Sequence, residues 1–195
     1  MWDERYSVEE YVYGKTPNDF LVHMSGKLKK GKVLSLAEGE GRNAVYLARQ
    51  GFDATAVDSS KVGLAKANEL AREFGVSIET IVSDLADYKI EVAAWDSIVS
   101  IWCHVHENQR KQLHRDVVAG LREGGTFLLE AYTPKQLEFG TGGPSSKEYL
   151  MDLQTLKEEL DGLEFIHAQE LVREVVEGIH HTGQAAVVQI LARKT

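Results

Sequence analysis

The segment that decides the fold reads Val33-Leu34-Ser35-Leu36-Ala37-Glu38-Gly39-Glu40-Gly41-Arg42-Asn43. It opens with a short apolar run of the kind that fills a buried parallel strand. A glycine-rich turn follows at once, and residues 42–50 then carry apolar side chains at helical spacing. Because glycine has no Cβ, such a turn lets the backbone approach a ligand closely. The segment therefore predicts the first strand–turn–helix unit of a ligand-binding α/β sheet.

The rest of the chain continues this alternation of strands and helices. Further apolar runs that predict strands lie at residues 54–57, 78–82, 96–102 and 126–131. Helical patterns occupy residues 59–74 and 108–121. Strands that alternate with helices favour right-handed βαβ units and a parallel sheet that is covered on both faces.

The C-terminal part of the chain follows a different pattern. Two strand-like segments, 164–176 and 184–192, are joined by a turn region at 177–183, so they are expected to pair antiparallel. We therefore predict a Rossmann-like, doubly wound α/β fold. Its sheet is mostly parallel and seven-stranded, with an antiparallel last strand and helices on both faces.

Nothing in the sequence divides the chain, because it contains no repeat, low-complexity stretch or Pro/Gly-rich linker. Its 195 residues predict a single domain, residues 1–195. Two segments are candidate lids over a ligand: residues 1–17, which are rich in Trp and Tyr, and residues 133–147, which hold several glycines. For the second segment a solvent-exposed insertion is an equal alternative, since long loops are functional or disordered.

Charge and cysteine content exclude several classes of protein. The formal net charge of −8 argues against a nucleic-acid partner, because such binding needs dense Lys and Arg. The one cysteine, Cys103, cannot form an internal disulfide or a four-cysteine zinc site. The N-terminus lacks a signal-peptide pattern, and no apolar stretch is long enough to span a bilayer. We expect a cytoplasmic protein, monomer or homodimer, with a small-molecule partner and neither nucleic acid nor membrane.

Carboxylates follow the second and third predicted strands, at the edge where the glycine turn lies. Asp58 stands nineteen positions after Gly39, where it can accept hydrogen bonds from both hydroxyls of a ribose. Its alternative role is to cap the helix that follows Ser59. Asp84 ends the third strand and can accept a hydrogen bond from an adenine amino group, while Leu85 covers the ring. Together these residues predict an adenosine site.

Two other interpretations of the glycine turn stay open at this point. Gly39, Gly41 and Ala44 also fit the G-x-G-x-x-G/A fingerprint of dinucleotide-binding proteins, so an NAD(P)-dependent oxidoreductase is an alternative. Asp84 and the closing antiparallel pair are features that this fingerprint does not require. A tight turn without any ligand is the remaining alternative.

The order of these features resembles the class I S-adenosylmethionine (SAM)-dependent methyltransferases, and more narrowly the tellurite-resistance and thiopurine methyltransferase-like branch. The resemblance covers nearly the whole chain. The segments that carry it are Gly39–Asn43, Asp58, Ser83–Leu85, Trp95–Ile98, Leu121–Gly125, Ala185–Lys194, Trp2–Tyr6 and Tyr13-Gly14. It implies SAM as the cofactor, S-adenosylhomocysteine as the product, and methyl transfer to a small molecule. A soft nucleophile, such as a thiol or a tellurium or selenium oxyanion, is one candidate acceptor; a non-catalytic SAM-binding protein is the other alternative.

The chain departs from the usual motif of this family at three positions. The family has an acidic residue where Ser35 stands, a glycine at Ala37 and a small residue at Glu38. Glu38 is therefore the candidate partner for the ammonium group of SAM, together with the backbone carbonyl of Ser100. The cofactor-binding residues that the resemblance implies are Glu38, Gly39, Gly41, Arg42, Asn43, Asp58, Ser59, Asp84, Leu85 and Ser100.

Candidates for a general base follow the fourth and fifth strands and the late turn. We select His104, because the end of the fourth strand faces the transferred methyl group in folds of this kind. Cys103, His104 and His106 are too close in sequence to supply three metal ligands together, so no metal is predicted. The remaining candidates are His106, Glu130, Tyr132, His180 and His181.

Overall fold

The computed structural model describes residues 1–178 and 181–195 of the chain. Its strands are β1 (Lys32–Leu36), β2 (Asp53–Asp58), β3 (Glu79–Val82), β4 (Trp95–Ile101), β5 (Leu121–Tyr132), β6 (Leu163–Glu177) and β7 (His181–Lys194). The α-helices are α1 (Trp2–Tyr6), α2 (Asp19–Met24), α3 (Arg42–Arg49), α4 (Lys61–Glu73), α5 (Glu107–Gly120) and α6 (Leu153–Glu159). Among the described residues, no helix is both long and apolar enough to cross a membrane.

All seven strands belong to one sheet with the order β3-β2-β1-β4-β5-β7-β6. The five strands from β3 to β5 pair in parallel, whereas β7 pairs antiparallel with both β5 and β6. This arrangement confirms the predicted Rossmann-like, mostly parallel sheet with an antiparallel last strand.

Helices cover both faces of the sheet, because alternate residues of the central strands point to opposite sides. On β4, for example, Ile98 packs in the cluster that holds Leu113 and Val117 of α5. Its neighbour Val99 packs in the cluster that holds Leu21 of α2 and Leu47 of α3. Burial on both sides explains why these strands are apolar runs rather than alternating polar and apolar residues.

Side-chain caps fix where two of the helices begin. The Oδ1 atom of Asn18 accepts a hydrogen bond from the Leu21 N–H at 2.9 Å, and the Ser60 hydroxyl accepts one from the Gly63 N–H at the same distance. Both side chains satisfy backbone donors that a first helical turn leaves unpaired.

Several strand boundaries differ from the sequence prediction, most clearly the start of β5 and the hairpin of β6 and β7. β5 begins at Leu121, five residues before the predicted Thr126, because Leu121 pairs with Trp95 before the register shifts to Thr126 opposite Ser97. β6 extends to Glu177, which the prediction had placed in the turn. Pairing of Glu177 with His181 lengthens the hairpin beyond its apolar pattern. His180, one of the candidate bases, lies outside the described residues.

The strand order reverses between β1 and β4, which are neighbours in the sheet. The helices that follow these two strands, α3 and α5, pack on opposite faces. In open α/β sheets this divergence leaves a crevice at the carboxyl ends of the strands, where ligands bind. A ligand site is therefore expected at the carboxyl ends of β1, β2, β3 and β4.

Candidate functional site

The turn after β1 adopts a backbone that favours glycine. Ala37, Gly39 and Gly41 have φ angles of 50°, 64° and 92°. A Cβ on Gly41 would lie 2.5 Å from the Cβ of Ala67 in α4, so no side chain fits there. Ala37 holds the left-handed conformation without being a glycine, which costs about 1–2 kcal/mol. Strain of this kind tends to occur at functional sites.

The Glu38 side chain is buried and bonded within this turn. Its Oε1 atom accepts hydrogen bonds from the N–H groups of Asn43 and Ala44, each at 2.9 Å, and its Oε2 atom accepts one from the Ser35 hydroxyl. Burial raises the pKa of Glu38, and these donors oppose the rise. Glu38 thus caps α3, and only Oε2 keeps a lone pair for a further donor. Its contact with an ammonium group stays a prediction.

Asp58 ends β2 directly beside the glycine turn. Its Oδ2 atom accepts a hydrogen bond from the Gly39 N–H at 2.9 Å, and its Oδ1 atom accepts one from the Ser60 N–H at 2.7 Å. Burial raises the pKa of this carboxyl group. Each oxygen retains one lone pair, so the geometry leaves two acceptors for a pair of hydroxyls. Ser59 is exposed next to it.

The N-terminal segment packs over the glycine turn and the start of α4. A Cβ on Gly39 would lie 2.7 Å from the Tyr6 hydroxyl, so only a glycine allows this tyrosine to pack here. Asp3 accepts a hydrogen bond from the Ser60 hydroxyl at 2.6 Å. Glu40 forms a buried ion pair with Lys66 at 2.6 Å and also accepts the Tyr13 N–H. Residues 1–17 were predicted from the sequence as a candidate lid, but none of these contacts was predicted.

The end of β3 carries Asp84 and Leu85, the predicted adenine neighbours. Asp84 is exposed, and its Oδ1 atom accepts a hydrogen bond from the Ala86 N–H at 2.8 Å. Leu85 is half-buried and packs against the core. Beside it lies a cavity of about 210 Å³, lined also by Tyr88, Gln109 and Leu113.

The end of β4 adjoins the end of β1 and is strained as well. Ser100 is buried and pairs with Leu36 on one side. Two residues later, Trp102 has a φ of 55°, which is rare for a bulky side chain. Strained residues thus stand at both edges of the crevice, Ala37 after β1 and Trp102 after β4. The structure brings the predicted turn, Asp58 and the β4 end to one region.

His104, the predicted base, is bonded through both ring nitrogens. Nδ1 lies 2.9 Å from the Tyr149 carbonyl oxygen, to which it donates, and Nε2 accepts the Tyr132 N–H at 3.4 Å. Burial lowers the pKa of His104 to about 4, so the ring is neutral near pH 7. Its action as a base would require the weak Tyr132 contact to open, and its catalytic role stays a prediction.

Aromatic rings gather beyond the end of β4. Trp102 stacks on Tyr132 with ring centroids 4.4 Å apart. His181 contacts both rings, at 5.3 Å and 5.5 Å, and lies 4.8 Å from Tyr13 of the N-terminal segment. His106 instead caps α5 through its ring nitrogen. The cluster forms an apolar, polarisable wall next to the crevice.

Arg42 and Asn43 were predicted to bind a cofactor, but their side chains have protein partners. Arg42 forms an ion pair with Glu177 and donates to the Thr16 carbonyl at 3.3 Å. The Oδ1 atom of Asn43 accepts the Asn18 N–H at 2.9 Å. These contacts connect the start of α3 to distant parts of the chain, and cofactor binding by Arg42 and Asn43 stays a prediction.

Comparison with known proteins agrees with this geometry. A family model described as "Methyltransferase domain" matches residues 33–125, which run from β1 to β5. The match covers 93 of the 195 residues, so the chain is similar to methyltransferases over a little under half of its length. The matched segment holds the glycine turn, Asp58, Asp84 and the end of β4, so the residues that carry the family pattern are also those that surround the crevice.

Individual methyltransferases are also similar to this chain, two of them in sequence and one in fold. It is 27% identical over 166 residues to the probable SAM-dependent methyltransferase TehB of Haemophilus influenzae, covering 78% of this chain and 58% of that protein. It is 23% identical over 133 residues to a ubiquinone biosynthesis O-methyltransferase of Rickettsia akari, covering 68% and 51%. The crystal structure of TehB from H. influenzae superposes with a TM-score of 0.76 at 22% identity, covering 100% of this chain and 66% of that one. The chain spans a little over half the length of both relatives compared by sequence.

Proposed function

We propose that this protein transfers the methyl group of SAM to a small-molecule acceptor. The observation that carries the proposal is the Asp58 carboxylate at the end of β2, bonded to the Gly39 N–H and left with one lone pair on each oxygen. A carboxylate at this position can accept both ribose hydroxyls of an adenosine. The two glycines that no side chain could replace then shape the turn that the cofactor would contact.

Within this proposal the residues of the crevice have separate roles. Gly39 and Gly41 form the turn, Asp58 binds the ribose with Ser59 beside it, and Asp84 with Leu85 binds the adenine. The backbone carbonyl of Ser100 and the remaining Oε2 lone pair of Glu38 hold the ammonium group. SAM supplies, when bound, a methyl group on a positively charged sulfur. The protein then has to align the acceptor and exclude water.

We further propose that the acceptor is a soft nucleophile, such as a thiolate. His104 is neutral and has both nitrogens engaged, so it is poorly placed to remove a proton. A thiolate needs no general base, whereas a neutral alcohol or phenol does. The aromatic wall of Trp102 and Tyr132 offers polarisable surface to such an acceptor. The N-terminal segment, residues 1–17, and residues 133–147 would close over it as lids.

Calorimetry with SAM, S-adenosylhomocysteine and NAD(H) tests the cofactor assignment. We expect binding of the first two ligands and none of NAD(H). Asp58→Ala removes two charge-assisted hydrogen bonds to the ribose, so the Kd for S-adenosylhomocysteine should rise at least about tenfold. Asp53→Ala is the matched control, because Asp53 is exposed at the opposite end of the same strand. Equal affinities of the two variants would contradict the ribose assignment.

The acceptor class needs a separate test with two probes that differ in one atom. The protein and SAM are incubated with 4-nitrothiophenol or with 4-nitrophenol, and the methylated products are separated by chromatography. We expect S-methylation to be the faster reaction. Comparable or faster O-methylation would overturn the soft-nucleophile proposal and leave the methyltransferase assignment intact.

A further inference from the structure

A buried carboxylate, Glu177, connects the two sides of the crevice. One of its oxygens accepts hydrogen bonds from the Arg42 guanidinium, at the start of α3, and from the Trp102 indole N–H, after β4. The other oxygen accepts one from the Asn18 side chain at 2.8 Å. Its side chain is only 5% exposed. A single side chain on β6 therefore bonds to both strand-end segments at the point where the strand order reverses.

A second buried carboxylate shares a hydrogen-bond donor with Glu177. Glu130 of β5 is 0% exposed and forms a two-point ion pair with Arg173, at 2.8 Å and 2.7 Å. It also accepts hydrogen bonds from Asn18 at 2.6 Å and from Gln189 at 2.7 Å. Asn18 thus bridges the two carboxylates, and two arginines balance their charge. We name Asn18, Arg42, Glu130, Arg173 and Glu177 the carboxylate network.

The chemistry of Glu177 shows that it is held as an ion. Burial alone would raise the pKa of Glu177, but the charge of Arg42 and the hydrogen bonds from Arg42, Trp102 and Asn18 lower it below its usual range. Buried ion pairs add little stability over apolar packing, because desolvating two charges is costly. We therefore infer that the network holds the side chains around Glu177 in one defined geometry, rather than adding stability.

Trp102 is the side chain for which that geometry matters most. Its backbone holds a left-handed φ of 55°, and its N–H donates to the Glu130 carbonyl at 2.9 Å. Its ring stacks on Tyr132 and contacts His181. Strain persists only where surrounding contacts over-determine a conformation. Among the described residues, the Glu177 carboxylate accepts the hydrogen bond of the indole N–H and so fixes the polar edge of the ring.

We propose that Glu177 is a positioning residue, which aligns the cofactor turn with the aromatic wall by holding Arg42 and Trp102 on one carboxylate oxygen. The inference rests on the proposed function, because it assigns the cofactor to the turn that Arg42 follows. Binding of the cofactor at the turn should then change the environment of the Trp102 indole. Loss of the Glu177 carboxylate should break the connection between the cofactor turn and the aromatic wall, while both of these segments stay folded.

The test uses Trp102 as its own reporter. The chain holds three tryptophans, so Trp2→Phe with Trp95→Phe leaves Trp102 alone. S-adenosylhomocysteine is titrated into this protein by calorimetry and by Trp102 emission, with Glu177→Gln added or not. Glu174→Gln is the matched control, since Glu174 is exposed three residues earlier on the same strand. Urea unfolding measures the stability of every variant.

We expect the parent and Glu174→Gln to bind S-adenosylhomocysteine with a clear change in Trp102 emission. In Glu177→Gln the Kd should rise about tenfold, and the emission change should be lost even at saturating ligand. Adding Arg42→Gln to Glu177→Gln removes the unpaired buried charge, so stability should recover in part while the emission response stays absent.

The outcomes separate this inference from the proposed function. If the parent binds no S-adenosylhomocysteine, the cofactor assignment fails and the positioning role fails with it. If the parent binds it and Glu177→Gln matches Glu174→Gln in affinity and in emission change, the positioning role alone is overturned. A loss of stability with unchanged binding and emission response would show that Glu177 is merely structural, and overturns it too.

Discussion

The two halves of the sheet are built in different ways. In the half that holds β1, β2 and β3, the contacts that shape the crevice join residues that are close in the sequence. The Gly39 N–H donates to Asp58, nineteen positions away, and Glu38 caps α3, the helix that follows it. In the half that holds β5, β7 and β6, the contacts are long. Arg42 meets Glu177 across 135 positions, and Asn18 meets the same residue across 159.

The two halves therefore differ in how far a local sequence motif can encode them. A turn built from local contacts forms whenever its own segment folds, so a sequence motif can encode it. A buried network of distant charges is satisfied only when the whole sheet is assembled, because any missing member leaves an unpaired charge. We therefore expect a substitution in the network to destabilise the whole fold, and a substitution in the turn to have a more local effect.

The largest effect is expected from Glu130→Ala, which removes the centre of the long-range half. It leaves the Arg173 guanidinium, Asn18 and Gln189 without their buried acceptor, so the free energy of unfolding should fall by about 4 kcal/mol. Urea denaturation measures it. Glu174→Ala, on the exposed face of the hairpin, should change it by less than about 0.5 kcal/mol. Similar losses in both variants would mean that the network has no special weight.

A smaller effect is expected in the local half from Gly41→Ala. The new Cβ would lie 2.5 Å from the Ala67 Cβ and 2.6 Å from its Cα, at a φ of 92°, so steric overlap adds to backbone strain. The free energy of unfolding should fall by about 3 kcal/mol. Gly51→Ala has a similar φ of 83° but open space around it, and should lose only about 1 kcal/mol. Equal losses would remove the steric part of the explanation.

The smallest effect is the contribution of His104 to the pH dependence of stability. Its folded pKa of about 4 lies below the ordinary value of 6.5, so the unfolded chain takes up the proton first as the pH falls. Its stabilising contribution is complete above about pH 6.5 and is lost towards pH 4. The full shift would correspond to about 3 kcal/mol, and because His104 is only half-buried, solvent screening reduces the expected loss to about 2 kcal/mol.

Unfolding of His104→Gln at pH 7 and pH 4 measures this contribution, because the variant should lose less stability on acidification than the parent. His23→Gln, at an exposed position on α2, is the matched control variant. A slope for His104→Gln that equals the parental one would show that the ring titrates normally in the folded protein.

The sequence predicted the sheet and the helices between its strands because each of them has a local pattern, whereas α1 was not predicted. The apolar runs gave the strands, glycines gave the turns, and the antiparallel closing pair followed from one loop-bounded pattern, all of which the sheet order confirms. The boundary errors at Leu121 and Glu177 arose where pairing with a neighbouring strand, rather than local pattern, decides the end.

The candidate site was predictable only in part. Asp58 and the glycine turn could be placed from spacing, and the structure brings them together. No local pattern indicated that the side chains of Arg42 and Asn43 bind other parts of the protein, or that Glu38 caps α3. The partners of Arg42 and Asn43 lie in distant elements, and the N–H groups of α3 occupy lone pairs of Glu38 that a ligand could otherwise use. A local motif contains no information about either kind of contact.

By itself, the sequence determined the parallel sheet, its closing antiparallel strand and the turn that marks the crevice, because apolar periodicity and glycine act over a few residues. Only the tertiary structure decided that Tyr6 packs over Gly39, that Trp102 is held strained beside the crevice, and that Glu177 joins its two sides. Each of these depends on which distant surfaces meet. Burial then makes the partners of every charge obligatory, and that requirement exists only once the chain has folded.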